Sequence, residues 1–481
     1  MTNIFDRYTG SGSSVNMGEQ GTGTINDTSS ARTVSCGSDP IGSVEMLERS
    51  VIYGPDLRKT TVPRETAAAS PVVTFQSSSE TFGMNDELLS KHLLMLGGTG
   101  MGKSNTFYQI IRRLMTQLQD DAVMVIFDTK GDYFRKFYDS NNPNHILIGN
   151  EDIYRDISPV WSLYDEVLDF DGGTRISSLE VKLKELAAHL FRGRESQTQP
   201  FFHLAAADLF VKFAIDYVRT HQLVSTQRLI SALKSTDAKK MLEMIDRNPE
   251  FASARSYLGD PGKMTAQALG ILAYLNSMIS DLFVGIFAEN HATGQFSMRK
   301  LVHQGKKKVI FLEYDLSVGE VLNPMYSLLI DLALKEAMTR QEDRKPHLYL
   351  VVDEFKLLPD LQHIENALNY GRSKGIRVFA GIQSVSQVYE VYGEDKGKSI
   401  LSGFMNCFAF KTIDRESREY ISERFGKNYS NINYSSGTNY YSVQREGYAV
   451  EDWDIVNLGI GDAYIDILGY PPFRFHFSKY R

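Results

Sequence analysis

The sequence predicts an α/β protein whose central sheet is mostly parallel and is covered by helices. Apolar runs of strand length alternate with segments whose apolar residues recur at helical spacing, and the connections between them are short, which is typical of parallel strands joined by helical crossovers. Two of the runs, Ala122–Asp128 and Leu348–Asp353, are almost wholly apolar, as expected for strands buried on both faces.

The N-terminal residues 1–44 are rich in Ser, Gly, Thr and Asn and contain few large apolar side chains. Such a segment buries too little apolar surface to offset the entropy lost on ordering, so we expect it to be disordered. Short apolar pieces at Val51–Tyr53 and Val72–Phe75 are interpreted as edge strands of the main domain. We assign residues 45–175 to the N-terminal part of the α/β core.

A glycine-rich segment, Gly97–Ser104, fits the phosphate-binding pattern G-x-x-x-x-G-K-[ST] at every fixed position. The predicted strand Leu93–Leu96 precedes it and a helical pattern over Thr106–Leu118 follows it, and a helix N-terminus favours anions. Backbone N–H groups would surround the phosphates of a nucleotide, Lys103 would reach the β- and γ-phosphates, and the Ser104 hydroxyl would hold Mg²⁺. The pattern thus predicts a P-loop NTPase core of the RecA-like type. The predicted nucleotide-binding residues are Gly97, Gly98, Thr99, Gly100, Met101, Gly102, Lys103 and Ser104.

The chain changes character between residues 176 and 290. Apolar residues at helical spacing dominate this stretch, as at Leu179, Leu183 and Leu186. We interpret residues 176–290 as an all-helical insertion domain, after which residues 291–481 complete the core. The strands predicted for this last part are Lys308–Glu313, Leu348–Asp353, Val378–Ile382 and Cys407–Lys411.

The strand Leu348–Asp353 ends in two adjacent acids, Asp353 and Glu354. Asp353 would reach the Mg²⁺ shell, and Glu354 would orient and deprotonate the attacking water. Acids at a strand end can instead cap a helix or face solvent, but a phosphate-binding loop in the same chain favours the catalytic interpretation. Gln383 ends the next strand, where it would hydrogen-bond the γ-phosphate or the attacking water and so sense the nucleotide.

Two further segments allow more than one interpretation. Arg372 and Arg377 flank a turn, and an arginine there is either a solvated charge near a helix end, which the residues alone favour, or a finger that reaches the nucleotide of a neighbouring subunit. The region Asn428–Tyr448 carries five tyrosines among Asn and Ser residues. Its composition favours a polar surface loop over a surface on which bases stack.

Composition limits the classes of function. Lys and Arg number 52 against 59 Asp and Glu, a net charge of −7, so a basic surface for nucleic acid would have to be local, such as the inside of a ring. The two cysteines, Cys36 and Cys407, are far apart in sequence and suggest no disulfide framework, which fits a reducing cytosol. No apolar stretch reaches the ~18 residues of a membrane-spanning helix.

Five segments, in their order along the chain, resemble the type IV secretion coupling ATPases, the TraG/TraD kind of conjugative DNA pump within the FtsK/HerA-like superfamily. The ordered set spans roughly residues 90–481 and is specific, although each lesser motif alone would be weak. The family usually has Pro and Glu where this chain has Thr129 and Asp132. The segments are Gly97–Ser104, Asp128–Asp132 (DTKGD), Val352–Phe355 (VDEF), Tyr370–Arg377 (YGRSKGIR) and Gly381–Ser384 (GIQS).

The resemblance implies an ATPase that acts as a homohexameric ring, moves DNA or a DNA–protein complex, and uses ATP and Mg²⁺. It leaves the roles of Asp128 and Lys130 open between shaping the site and contacting a neighbouring subunit. The site residues that it implies are Lys103, Ser104, Asp353 and Glu354 for hydrolysis, Arg372 as a finger supplied in trans, and Gln383 as a sensor.

Membrane-bound members of that family begin with transmembrane helices, and no such helix is predicted here. We therefore expect a cytoplasmic protein that works apart from the membrane or docks on a membrane partner through residues 1–90. Relaxase or secretion-channel proteins are the implied partners besides DNA. Two alternatives remain open: an ATP-controlled receptor that binds protein cargo through the insertion domain, and a HerA-like helicase or defence ATPase. The lack of an Asn-Lys-x-Asp motif argues against a GTPase.

Overall fold

The structure, a computed structural model, describes residues 23–27, 30–34, 44–57, 62, 71–170, 175–192, 200–221, 224–259, 265–289, 294–317, 319–343, 345–359, 361–436 and 439–480. The chain divides into two compact units. One comprises the described parts of Met1–Lys59 and Ser422–Glu451, and the other those of Thr60–Ile421 and Asp452–Arg481. The larger unit contains every candidate site residue.

The strands, in chain order, are β1 (Gly23–Asp27), β2 (Ser30–Val34), β3 (Val44–Tyr53), β4 (Val73–Gln76), β5 (Thr81–Met84), β6 (Leu93–Leu96), β7 (Val123–Asp128), β8 (His145–Gly149), β9 (Val160–Trp161), β10 (Gln295–Phe296), β11 (Lys308–Glu313), β12 (Leu348–Val352), β13 (Ile376–Ile382), β14 (Asn406–Phe410), β15 (Lys427–Ser436), β16 (Asn439–Tyr448), β17 (Asp462–Asp466) and β18 (Phe473–His476).

The α-helices are α1 (Asp86–Leu89), α2 (Lys103–Gln117), α3 (Asp132–Phe137), α4 (Asp152–Arg155), α5 (Leu163–Val167), α6 (Ile176–Arg192), α7 (Pro200–Thr220), α8 (Thr226–Lys234), α9 (Ala238–Arg247), α10 (Arg255–Leu258), α11 (Ala266–Leu282), α12 (Met298–Gln304), α13 (Gly319–Met338), α14 (Ile364–Tyr370), α15 (Val385–Tyr392), α16 (Glu394–Ser402), α17 (Arg415–Phe425) and α18 (Asp452–Val456). Short 3₁₀ turns lie at Pro249–Ala254, Gly285–Phe287, Phe355–Leu357 and Gly371–Lys374. Among the described residues, no helix is long and apolar enough to cross a bilayer.

The larger unit is built on a central sheet in which nine described strands follow the order β18-β17-β14-β6-β13-β12-β7-β11-β8. The seven strands from β14 to β8 run parallel, and β17 and β18 add an antiparallel edge. Strands β6, β7, β12, β13 and β14 are buried at every residue, as strands covered on both faces must be. The predicted α/β fold with a parallel-rich sheet is confirmed.

A hairpin of β4 and β5 packs on the central sheet through aromatic rings. The strands pair with each other in a separate two-stranded sheet, so Val72–Phe75 is not the edge strand that we expected. The Phe75 ring stacks on Phe82 with centroids 4.8 Å apart, and Phe82 meets Phe475 of β18 edge to face at 4.7 Å. All three rings are buried, so the hairpin is attached by apolar packing and aromatic contacts rather than by strand pairing.

Helices α6–α11 occupy the described part of residues 176–290. Three of them begin with a side chain that accepts an N–H bond three residues further on: Ser225, Asp237 and Thr265, which is the usual way in which the free N–H groups of a helix start are satisfied. Helix α7 packs against both α6 and α11, and these two also contact α13 of the core. The helical region therefore packs against the α/β core.

The smaller unit is a five-stranded sheet in the order β16-β15-β3-β1-β2. Strands β1 and β2 lie within residues 1–44, which we expected to be disordered, and their β-branched Thr, Ile and Val residues favour extended backbone. The rest of that segment lies outside the described residues. Val51–Tyr53, expected in the main domain, ends β3 in this sheet.

The tyrosine-rich region Asn428–Tyr448 was predicted to be a polar loop, and that prediction is wrong. It forms the antiparallel strands β15 and β16, which pair in register from Lys427 with Tyr448 to Ser436 with Asn439. Tyr434 and Tyr441 face each other across the two strands with ring centroids 5.3 Å apart. Cross-strand aromatic pairs of this kind stabilise a hairpin. The many Asn and Ser residues between the tyrosines favoured a loop when the sequence was considered alone.

Two buried carboxyl groups stand side by side where β7 and β11 end. Asp128 and Glu313 are directly opposed in the parallel register, and they are only 1% and 4% exposed. Burial, and then the neighbouring Asp128, raises the pKa of Glu313 to about 9. Burial also raises the pKa of Asp128, although four backbone N–H groups act in the opposite direction. The pair therefore holds a proton between its carboxyl groups near neutral pH.

We predict that Glu313→Gln flattens the dependence of folding stability on pH. Below the ordinary Glu pKa of 4.5, the folded and unfolded wild-type chains both hold the proton on Glu313. Above that pH the unfolded chain releases this proton while the folded chain keeps it. The free energy of unfolding therefore falls as the pH rises, until about pH 9. The amide keeps a donor toward Asp128 and does not titrate. Urea unfolding should show the variant gaining about 4 kcal/mol relative to wild type between pH 5 and 8. The exposed Glu342→Gln is the control, and a difference that does not change with pH would contradict the prediction.

Candidate functional site

The glycine-rich loop Gly97–Ser104 joins β6 to α2, as predicted, at the C-terminal edge of the parallel strands. Its backbone is tied to neighbouring segments: the Gly98 N–H donates to Lys411 O at 2.8 Å, and the Gly461 N–H donates to Met101 O at 2.9 Å. Thr99 and Gly100 at its tip are exposed. The loop is thus held at both sides while its tip faces solvent, and the sequence motifs gave no sign of Lys411 or Gly461.

Two of the loop glycines are required by geometry. Gly102 precedes α2 with φ = +118°, which disfavours any side chain, and a Cβ there would also lie 3.1 Å from Gly461 Cα. A Cβ at Gly97 would come within 2.6 Å of Phe410 Cβ. The fixed glycines of the pattern therefore let the loop approach β14 and the segment before β17.

The Lys103 side chain lies folded into the loop. Its ammonium donates to the carbonyl oxygens of Gly97 and of Gly98, the latter at 3.2 Å, and the residue is only 7% exposed. Burial lowers the pKa of Lys103, while the negative charges of Asp353 and Glu354 act in the opposite direction. The two acids thus lie near enough to the loop lysine to act on its charge.

Asp353 follows β12 and meets the loop directly. The Ser104 hydroxyl donates to Asp353 Oδ2 at 2.8 Å, and the Tyr133 hydroxyl donates to the same oxygen at 2.7 Å. The structure therefore brings Ser104 and Asp353 together as predicted. Hydroxyl and carboxylate oxygens are the ligands that Mg²⁺ prefers, so these two residues fit a magnesium site.

Glu354 and Gln383 form the second pair of the site. Gln383 follows β13 and donates from Nε2 to Glu354 Oε2 at 2.7 Å. The other carboxylate oxygen, Oε1, is buried and has no hydrogen-bond partner among the described residues. Gly381 allows the two strand ends to approach, because a Cβ there would lie 2.3 Å from Asp353 O. The arrangement leaves one oxygen of Glu354 available to accept a proton.

The segment Asp128–Asp132 turns the end of β7 into the start of α3. Asp128 accepts hydrogen bonds from the backbone N–H groups of Lys130, Asp132, Tyr133 and Phe134, at 2.7–3.2 Å. Lys130 is exposed. Two roles were left open for this motif, shaping the site and contacting a neighbouring subunit. The side chain of Asp128 shapes the backbone next to Asp353. No sequence pattern indicated Tyr133, although it directly follows the motif.

The two arginines lie away from the loop. Arg372 belongs to the 3₁₀ turn that precedes β13, at the edge of the sheet opposite Gln383, and the seven residues of β13 span roughly 20 Å. It pairs with Glu87, whose side chain is exposed, whereas Arg372 is only partly exposed and its Nε atom is buried. Arg377 is buried at 1% exposure and forms two bonds to Asp86, at 2.9 and 3.2 Å, so neither interpretation offered for it holds. Within one chain, the structure does not bring Arg372 to Lys103.

Comparison with known proteins bears on the fold and the family. The conjugative coupling protein TrwB, in its unbound monoclinic form, superposes with a TM-score of 0.70 at 19% identity over 91% of this chain and 94% of TrwB. TrwB in complex with ADP and Mg²⁺ gives 0.68 at 18% identity over 91% and 94%. These identities are low, so the two structures support the fold alone.

Sequence relatives are also found among curated proteins. Coupling protein TraD of Escherichia coli (strain K12) is 24% identical over 341 residues, which are 69% of this chain and 43% of TraD. Type IV secretion system-coupling protein VirD4 of Bartonella quintana (strain Toulouse) is 24% identical over 295 residues, 60% of this chain and 44% of VirD4. The chain thus spans less than half of the length of these two relatives.

A family model described as the type IV secretion-system coupling protein DNA-binding domain matches residues 78–450. The match covers more than half of the chain and includes the loop, Asp353, Glu354 and Gln383. It agrees with the resemblance inferred from the ordered motifs. The chain belongs to the type IV secretion-system coupling protein family.

Proposed function

We propose that this chain is an ATPase that uses ATP hydrolysis to move DNA through a homohexameric ring. The observation that carries the proposal is the convergence of three groups at one edge of the sheet. They are the loop lysine Lys103, the Ser104–Asp353 pair at 2.8 Å and the Glu354–Gln383 pair at 2.7 Å. The ends of three neighbouring parallel strands supply them, which is where α/β sheets bind nucleotides.

Each side chain has a task that follows from its surroundings. Lys103 neutralises charge on the β- and γ-phosphates, and the buried position of its ammonium strengthens that interaction. Glu354 is oriented by the Gln383 amide and uses Oε1, its free oxygen, to take a proton from the attacking water. Gln383 follows β13, which lies beside β6 and the nucleotide loop, and it is bonded to Glu354. A contact between Gln383 and the γ-phosphate would therefore shift Glu354.

Ser104 and Asp353 are the residues that would hold Mg²⁺. When bound, the ion would neutralise the negative charge that develops on the phosphates during transfer. The related TrwB has structures in complex with ADP and Mg²⁺ and with the ATP analogue ADPNP, which supports this assignment. TrwB also has a structure in complex with the GTP analogue GDPNP, so ATP and GTP need to be compared directly in this chain.

A ring explains why Arg372 lies far from its own loop. An arginine that completes the site would have to come from the neighbouring subunit, and Arg372 is partly exposed at the opposite end of the parallel strands, where it pairs with Glu87. The family description supports DNA as the substrate. A net charge of −7 confines the DNA contact to a local basic surface, as the lining of a pore would be.

We predict that Lys103→Ala and Glu354→Gln abolish ATP turnover in different ways. Lys103→Ala removes the charge from the loop and should weaken ATP binding as well as turnover. Glu354→Gln removes the proton acceptor and should keep ATP binding while turnover falls on the order of 10²–10⁴-fold. Turnover and nucleotide affinity are measured with ATP and with GTP, each with and without DNA.

The matched controls for that experiment are Lys239→Ala and Glu243→Gln on α9, whose side chains are 84% and 63% exposed. They should keep wild-type turnover. Unchanged turnover in Lys103→Ala would sink the site assignment, and turnover that never responds to DNA would count against translocation.

We predict that Arg372 acts in the site of a neighbouring subunit. Arg372→Ala should fold, because an exposed ion pair contributes only about 0–1 kcal/mol, and should lose turnover on the order of 10³-fold. Mixing it with Lys103→Ala should restore turnover, since roughly a quarter of the interfaces in a randomly mixed ring combine an intact loop with an intact Arg372.

The control for the arginine substitution is Arg415→Ala, which removes an exposed arginine of α17. This variant, assayed without mixing, should remain active. Failure of the Arg372→Ala and Lys103→Ala mixture to regain turnover, with rings present by light scattering, would contradict action in trans.

A further inference from the structure

Asp353 Oδ2 accepts hydrogen bonds from two hydroxyl groups that come from different parts of the chain. One donor is Ser104 in the nucleotide loop at 2.8 Å, and the other is Tyr133 at the start of α3 at 2.7 Å. The first bond is within the phosphate and magnesium machinery already assigned. The second comes from Tyr133, which lies outside every sequence motif identified above.

The position of Tyr133 is fixed by its backbone. Its N–H donates to Asp128 Oδ2 at 2.7 Å, and Asp128 holds the neighbouring N–H groups of the same turn. Gly131 makes the turn possible with φ = +64°, and a Cβ there would lie 3.0 Å from the Tyr154 hydroxyl. Asp128 therefore determines where the chain places Tyr133.

The ring of Tyr133 is fixed by packing. The residue is 2% exposed, and the ring meets Phe107 and Tyr108 of α2 edge to face with centroids 6.4 and 5.3 Å apart. Helix α2 begins at Lys103. The Tyr133 side chain thus lies between α2, which follows the nucleotide loop, and Asp353 at the end of β12.

We propose that Tyr133 is a positioning residue for the magnesium ligand Asp353, and that this is the purpose of the segment Asp128–Asp132. The inference rests on the proposed function. The hydroxyl holds the Asp353 carboxylate in one orientation beside the Ser104 hydroxyl, which donates to the same oxygen. Partners of this kind commonly change metal affinity 10–100-fold when they are removed.

The test is Tyr133→Phe, which deletes one oxygen and keeps the ring packing. Binding of the non-hydrolysable ADPNP is measured at rising Mg²⁺ and in EDTA. The Mg²⁺ concentration for half-maximal binding should rise roughly 10–100-fold, while ADPNP affinity in EDTA stays within about twofold. Tyr108→Phe is the matched control, because its ring belongs to the same cluster and its hydroxyl forms no bond to Asp353, and it should leave the Mg²⁺ requirement unchanged.

A double-mutant cycle with Asp353→Asn separates positioning from a general structural role. If Tyr133 acts through Asp353, Tyr133→Phe should have no further effect on the Mg²⁺ requirement in the Asp353→Asn background. Independent, additive effects would overturn the proposal. An equal loss of ADPNP binding with Mg²⁺ and in EDTA would also overturn it, because the tyrosine would then only support the fold.

Failure of this inference can be told from failure of the proposed function. If the wild-type protein does not bind Mg²⁺–ADPNP, or if Lys103→Ala binds it equally well, the assignment of the nucleotide site itself is wrong. A nucleotide site that depends on Lys103, combined with an unchanged Mg²⁺ requirement in Tyr133→Phe, would overturn only the role of Tyr133.

Discussion

The site depends on the parallel register of three neighbouring strands. In the order β6, β13, β12, Leu96 pairs with Ile382, and Val352 pairs with Ala380, so all three strands end at the same edge of the sheet. The nucleotide loop, Gln383 and the acid pair therefore emerge side by side, although more than two hundred residues separate Ser104 from Asp353. A shift of one residue in this register would turn the buried side chains of β13 to the other face and separate the pairs.

Within that frame, the two acids are held by different kinds of partner. Asp353 accepts from two hydroxyl groups at one oxygen, whereas Glu354 accepts from an amide at one oxygen and leaves the other without a partner among the described residues. A carboxylate that is bonded at one oxygen and has no partner at the other suits a proton acceptor. A carboxylate fixed by two donors suits a metal ligand, whose orientation must not change. Adjacent residues thus acquire separate roles from their neighbours.

The surface on which assembly would depend lies at the other end of the parallel strands, where β13 begins. Arg377 is buried there against Asp86 and holds α1 in place, while Arg372, five residues earlier, is partly exposed. In the proposed ring, the same short segment would provide one arginine for the fold and one for a neighbouring subunit. This division would give a physical reason for the proposed ring, because a cation at this end of the strands could complete a nucleotide site only on another copy.

The sequence by itself determined the α/β class, the nucleotide loop, the acids after β12 and the family, because each depends on a local pattern: an apolar run, a glycine spacing or an ordered set of motifs. It did not reveal Tyr133, the Asp128–Glu313 pair or the burial of Arg377. It also misassigned β15 and β16, whose tyrosines become informative only when they face each other across two strands. These features are contacts between segments distant in sequence, and only the register of the strands and the packing of helices on them decides which side chains meet.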